Sequence, residues 1–83
     1  MVKRPSKDIK KAILSVLNKE GDLTYAQLER KVNTAFVSIV DNCQELQTFG
    51  AVIISRKDKH KATGRPYFLV SITKQGRDIL KKM

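Results

Sequence analysis

Ten residues from Arg56 to Arg65 carry five cations, one acid and one histidine, and they lie between two short, mostly apolar runs, Ala51–Ser55 and Tyr67–Ile72. Such a tract cannot enter an interior, because each desolvated charge needs a partner. The apolar runs on either side therefore predict two strands joined by a protruding tip over residues 56–65. Val52, Ile53 and Ile54 are β-branched and suit a pleated surface. In the second run Phe68, Val70 and Ile72 fall on one face and Tyr67, Leu69 and Ser71 on the other. Pro66 fits the start of that strand, where a missing N–H costs least.

The residues before the hairpin read as helices. Ser6 follows Pro5 and predicts a cap for a helix with Ile9, Ile13, Val16 and Leu17 on its apolar side, stopped by Gly21. Thr24-Tyr25-Ala26-Gln27 matches a capping box, in which a Thr hydroxyl and a Gln three residues on each take a free backbone N–H. A short second helix follows with Leu28 and Val32 inward. Asn33-Thr34 offers the next cap with no linker, so a third helix over about 35–49 must turn sharply from the second, which is a helix-turn-helix. Phe36, Ile39, Cys43 and Leu46 form its apolar stripe, and Gly50 is placed to end it. After the hairpin, Thr73 predicts a cap for a short last helix with Ile79, Leu80 and Met83 on its apolar edge.

Eighty-three residues at 41% hydrophobic content are expected to form one α+β domain over 1–83, burying ~60% of the surface of the unfolded chain. The net charge of +9 narrows the partner to a polyanion, nucleic acid or an anionic membrane. Apolar runs no longer than four residues (51–54 and 67–70) argue against a membrane span, which needs ~18. Nothing near Met1 has the apolar core of a secretory signal, so a cytoplasmic, nucleoid-associated protein is expected. One cysteine and one histidine provide neither a disulfide nor a zinc set. No metal or cofactor is expected. Cys43 reads as a core filler. No phosphate loop, paired acidic motif or nucleophile elbow is present, and the chain is not expected to be an enzyme.

Helix, short turn, helix-turn-helix, two-stranded hairpin and closing helix, in that order, resemble the winged helix-turn-helix family, including the MarR-like and PadR-like transcription regulators of bacteria and archaea. Three matches carry the resemblance: Leu23-Thr24-Tyr25-Ala26-Gln27-Leu28 at the entry to the second helix, Leu46-Gln47-Thr48-Phe49-Gly50-Ala51-Val52 at the helix-to-strand exit, and Ile72-Thr73-Lys74-Gln75-Gly76 at the close. The resemblance implies that the third helix enters the major groove of duplex DNA and that the hairpin, the wing, lies along the backbone or in the minor groove.

Charge is distributed unevenly over these elements. Residues 50–65 carry +4, but residues 34–49 carry −2 and include no Lys or Arg. The Arg-to-guanine contact that dominates specific readout is therefore missing from the third helix. Two readings stay open. In one, Thr34 and Ser38 donate to phosphates or bases, Val37 meets a thymine methyl, and Asp41 or Asn42 meets base amino groups. In the other, Val37 and Val40 mark a face for a protein partner, and DNA contact falls to the wing and the N-terminal arm.

Arg56, Lys57, Lys59, His60, Lys61 and Arg65 are the wing candidates for phosphate contact. Tyr25, Gln27, Arg30 and Lys31 are candidates on the second helix, which crosses the backbone in the family. The arm, residues 1–6 with Lys3 and Arg4, and the adjoining Lys7, Lys10 and Lys11 add further cations. A homodimer reading two half-sites is expected, with Ile79, Leu80 and Met83 at the contact. The rival reading is an interaction module within a transcription, replication or segregation assembly, or an architectural nucleic-acid binder. For RNA, no aromatic stacking platform is evident in the sequence.

Overall fold

In α1 (Ser6–Glu20) the apolar positions recur at helical spacing, and the computed structural model, which describes residues 6–58, 64 and 66–82, buries Ile9, Ile13, Leu14 and Leu17 on one face. The Gly21 N–H closes the helix on the Leu17 carbonyl at 2.8 Å.

The next two residues depart from expectation. Leu23–Thr24 forms a short strand, β1, which pairs antiparallel with the second strand of the hairpin, Leu23 opposite Val70 and Thr24 opposite Leu69. The sheet is therefore three-stranded, in the order β1-β3-β2. Two residues are too few for a strand pattern to show in sequence. This strand exists because β3 offers a free edge beside it.

Thr24 also caps α2 (Tyr25–Val32): its Oγ1 accepts from the Gln27 N–H at 3.2 Å, and Gln27 Oε1 accepts from the Thr24 N–H at 2.9 Å. The helix ends at Asn33, whose backbone is left-handed with φ 57, a conformation that Asn tolerates better than most residues. Asn33-Thr34 thus closes α2 and does not cap α3 (Phe36–Thr48), for which Ala35 stands at the cap with no side-chain hydrogen bond.

The exit of α3 follows a Schellman pattern. Gly50 takes φ 77, its N–H donates to the Gln47 carbonyl at 3.0 Å, and the Ala51 N–H donates to the Leu46 carbonyl at 2.8 Å. Leu46 and Ala51 are both buried, so the turn is fastened by its own apolar contact.

Strand β2 (Val52–Lys57) runs two residues further than predicted, pairing Arg56 with Phe68 and Lys57 with Tyr67 on β3 (Tyr67–Ile72). Those two cations belong to the paired stem of the hairpin, not to its tip. Backbone hydrogen bonding continued beyond the apolar residues because a hairpin stem needs no buried face.

Thr73 caps α4 (Lys74–Lys82) as predicted, accepting the Gly76 N–H at 3.0 Å. The same hydroxyl donates to the carbonyls of Gly50 and Ala51 at 2.6 and 3.1 Å. The core joins α1, α2, α3 and the sheet through Leu28, Ile39, Cys43, Leu46, Val52 and Val70, with Ile79 and Leu80 of α4 packed against it. Among the described residues, no helix is long and apolar enough to cross a membrane.

Candidate nucleic-acid interface

Helix α3 and the hairpin β2–β3 flank a groove of about 350 Å³ lined by Tyr25, Val40, Gln44, Gln47, Ile54 and Phe68. The groove holds its shape through a bond across it: the Ile54 N–H, on the outer edge of β2, donates to Gln47 Oε1 at 2.9 Å. Helix and wing are therefore tied together by a side chain of α3 itself.

On α3, Val37 is 68% exposed, Asp41 is exposed and Ser38 is half-buried, as is Thr34 in the turn before the helix. These four predicted contacts keep some surface in solvent. Asn42 differs from them. It is buried, its Nδ2 donates to the Ser38 carbonyl at 2.7 Å, and its Oδ1 accepts from Lys10 Nζ at 2.9 Å. A side chain whose hydrogen bonds are satisfied inside the fold has no base edge to meet, so Asn42 is a packing residue. Lys10 is also withdrawn from the basic arm, since it pairs with Glu45 as well as Asn42.

Phe36 corrects a second expectation. Helical spacing predicts it on the core stripe with Ile39, Cys43 and Leu46, but it is 45% exposed. As the first residue of α3 it projects past the end of the core and meets the Tyr25 ring edge-on, with centroids 6.0 Å apart. Phe68, 46% exposed, lies 5.8 Å from Tyr25 on another side.

On α2, Gln27 is used by the capping box and Lys31 pairs with Glu20 at 2.7 Å, while Arg30 is exposed. Tyr25 is half-buried, and its phenol is pushed above the ordinary tyrosine value by burial and, less, by Cys43 nearby. Arg56 and Lys57 are exposed on the wing stem, and Lys7 and Lys11 on α1. Lys59, His60, Lys61 and Arg65 of the wing, Lys3 and Arg4 of the arm, and Met83 lie outside the described residues. Of the predicted dimer contacts, Ile79 and Leu80 are half-buried against the core.

Cys43 is fully buried, and burial pushes its thiol up to about 12. It is a thiol at neutral pH and not an available nucleophile. No group of three or more His, Cys, Asp or Glu able to hold a metal occurs among the described residues. The aromatic grouping of Tyr25, Phe36 and Phe68 was not evident in sequence. The available signal was the position of Phe36 and Phe68 as the first residues of their apolar faces.

No family model matches the sequence, nor does any curated protein. Solved structures do match in shape. Bordetella bronchiseptica BpsR, described by its regulation of DNA binding by 6-hydroxynicotinic acid, superposes with a TM-score of 0.78 at 15% identity, over 90% of this chain and 51% of its own. A transcriptional regulator homologue from Pyrococcus horikoshii gives 0.75 at 18% identity, over 89% and 70%. A MarR family protein from Bacillus stearothermophilus gives 0.71 at 21%, over 93% and 56%. The chain thus spans about half the length of the first and third of these proteins. What it shares with them is an architecture: α2 and α3 form the helix-turn-helix, β2–β3 forms the wing, and the fold is a winged helix-turn-helix.

Proposed function

We propose that this chain is a small transcriptional regulator that binds duplex DNA through its wing, with α3 alongside. The observation that supports this best is the arrangement of charge on the fold. The cations Arg56 and Lys57 stand exposed on a rigid two-stranded stem, and α3 carries Asp41 and Glu45 with no Lys or Arg. Phosphate contact therefore belongs to the wing, continued by Lys59, His60, Lys61 and Arg65, and α3 adds Val37 and Ser38, with Thr34 in the turn before it. Binding is dominated by charge neutralisation, and base selection by α3 is modest. The unit acts as a homodimer whose contacts include α1, Ile79 and Leu80 of α4, and Met83.

Duplex binding measured by fluorescence polarisation over a salt series tests this. If the wing neutralises about five phosphates, log affinity falls against log salt with a slope near −4.5. Arg56→Glu with Lys57→Glu weakens every duplex and flattens the slope. Absence of duplex binding at low salt overturns the reading.

A second reading is supported by Val37, which is 68% exposed on a helix that lacks cations. In that reading α3 holds a protein partner while the wing grips DNA. Val37→Asp then abolishes partner capture and leaves duplex affinity within about twofold, as expected for a residue outside the phosphate contacts.

A further inference from the structure

Tyr25 from α2, Phe36 from α3 and Phe68 from β3 are brought together by the fold from distant positions in the chain. Phe36 and Phe68 each contact the Tyr25 ring, and each leaves nearly half its surface in solvent, at 45% and 46%. With Thr24, Pro66 and Tyr67 they line an open hollow of about 300 Å³. Two phenylalanines left this exposed forgo the burial that such large rings normally gain. A cation stands beside the hollow. Arg56 is directly opposite Phe68 in the β2–β3 register, which puts both side chains on the same face of the hairpin.

Aromatic faces beside a backbone-gripping cation are the combination that holds unpaired nucleotides, because every base has a π-face to stack and every linkage a phosphate to neutralise. A protein groove binder would gain from an apolar rim, whereas here the flanking wing is charged. We infer that this hollow is a binding site for unpaired DNA bases, stacked on Phe36 and Phe68 with the adjoining phosphate at Arg56. The hollow adjoins the wing, so the favoured substrate is a junction: duplex along the wing stem and a single-stranded end running over the aromatics. This goes beyond the duplex contact proposed above, shares Arg56 with it, and adds the aromatic side chains of Phe36 and Phe68. Deoxyribose is assigned because the hollow adjoins the duplex-DNA contact proposed above, and in this respect the inference rests on that reading.

The experiment compares three fluorescent probes by polarisation at one salt concentration: a blunt duplex, the same duplex with a single-stranded oligothymidine tail, and that duplex with an oligouridine tail. The expected result is that the deoxy-tailed probe binds at least about tenfold more tightly than the blunt one, the gain from stacking one or two bases. Phe36→Leu and Phe68→Leu each remove much of that gain and leave blunt-duplex affinity unchanged, whereas Phe36→Trp and Phe68→Trp keep it. Circular dichroism melts verify that each variant is folded, and the tryptophan pair serves if a leucine variant is not. Equal affinity for tailed and blunt probes in the wild type overturns the inference and leaves the duplex reading intact. Tail binding without blunt-duplex binding removes the duplex reading and supports this one. Tighter binding of the uridine tail overturns the assignment to DNA. Leucine variants that keep the full tail preference overturn the site and leave the aromatics to a protein partner.

Discussion

Gly76→Ala is expected to be among the most damaging single-methyl changes in this chain. The glycine sits in the first turn of α4, buried where that helix crosses the exit of α3. A Cβ at this position would stand 2.1 Å from the Ala51 carbonyl oxygen and 2.9 Å from Ile72 Cγ1. The carbonyl cannot swing aside, because it accepts the Thr73 N–H at 3.0 Å and shares the Thr73 hydroxyl proton with Gly50. Relief therefore requires α4 to withdraw by about 1 Å, past the distance at which those bonds survive. Losing two hydrogen bonds costs about 2 kcal/mol, and loosening Ile79 and Leu80 from the core costs about 2 more. The better helix propensity of alanine returns about 1 kcal/mol. The net expectation is a destabilisation of about 3 kcal/mol, or a fall in Tm of roughly 12–24 °C for a domain of this size. Gly21→Ala is the control. Nothing lies within 4 Å of a Cβ there, so only its φ of +89 is penalised, at about 1–2 kcal/mol. Urea denaturation followed by circular dichroism measures both. A Gly76→Ala loss within 1 kcal/mol of wild type, or one smaller than that of Gly21→Ala, would refute the argument that the close approach of α4 to Ala51 excludes a side chain.

Lys10→Ala leaves the Asn42 Oδ1 without its donor inside the fold, which should cost about 2 kcal/mol. The cost should shrink in an Asn42→Leu background, and the salt slope of DNA binding should not move, because Lys10 faces α3 and not solvent. For Cys43, burial holds the thiol up at about 12 against an unfolded value near 8.5. Folding thus favours the protonated form, and its contribution is complete below about pH 8.5 and declines as pH rises toward 12. Wild-type Tm should accordingly fall more steeply between pH 9 and 11 than that of Cys43→Ala, and a thiol reagent at pH 8 should react only at the rate of unfolding. Parallel pH profiles, or immediate thiol labelling, would contradict this. On the wing, Arg56→Glu with Lys57→Glu should reduce the magnitude of the salt slope by about 2, near 0.9 per phosphate contact, measured on the blunt duplex.

The charge tract at 56–65 made the hairpin legible, because a run too charged to bury between two apolar ones points to paired strands on either side of it. The capping box at Thr24 and Gln27, the turn glycine at Gly50 and the cap at Thr73 act within a few residues of themselves, and each was legible for that reason. The inward faces of α1 and α3 were legible too, since helical period reports which side is apolar. Period does not report where the core ends. Phe36 continued the stripe of α3 and Phe68 the face of β3, yet both project beyond the packed interior, and only the crossing of α2, α3 and the hairpin brings them against Tyr25. Asn42 read as an exposed polar residue because its partner, Lys10, is 32 positions away. The two-residue strand at Leu23–Thr24 depended on an edge supplied by β3, more than forty residues later. Local hydrogen bonding and patterning thus set the elements, and the long-range packing of those elements decided which side chains were left to meet a ligand.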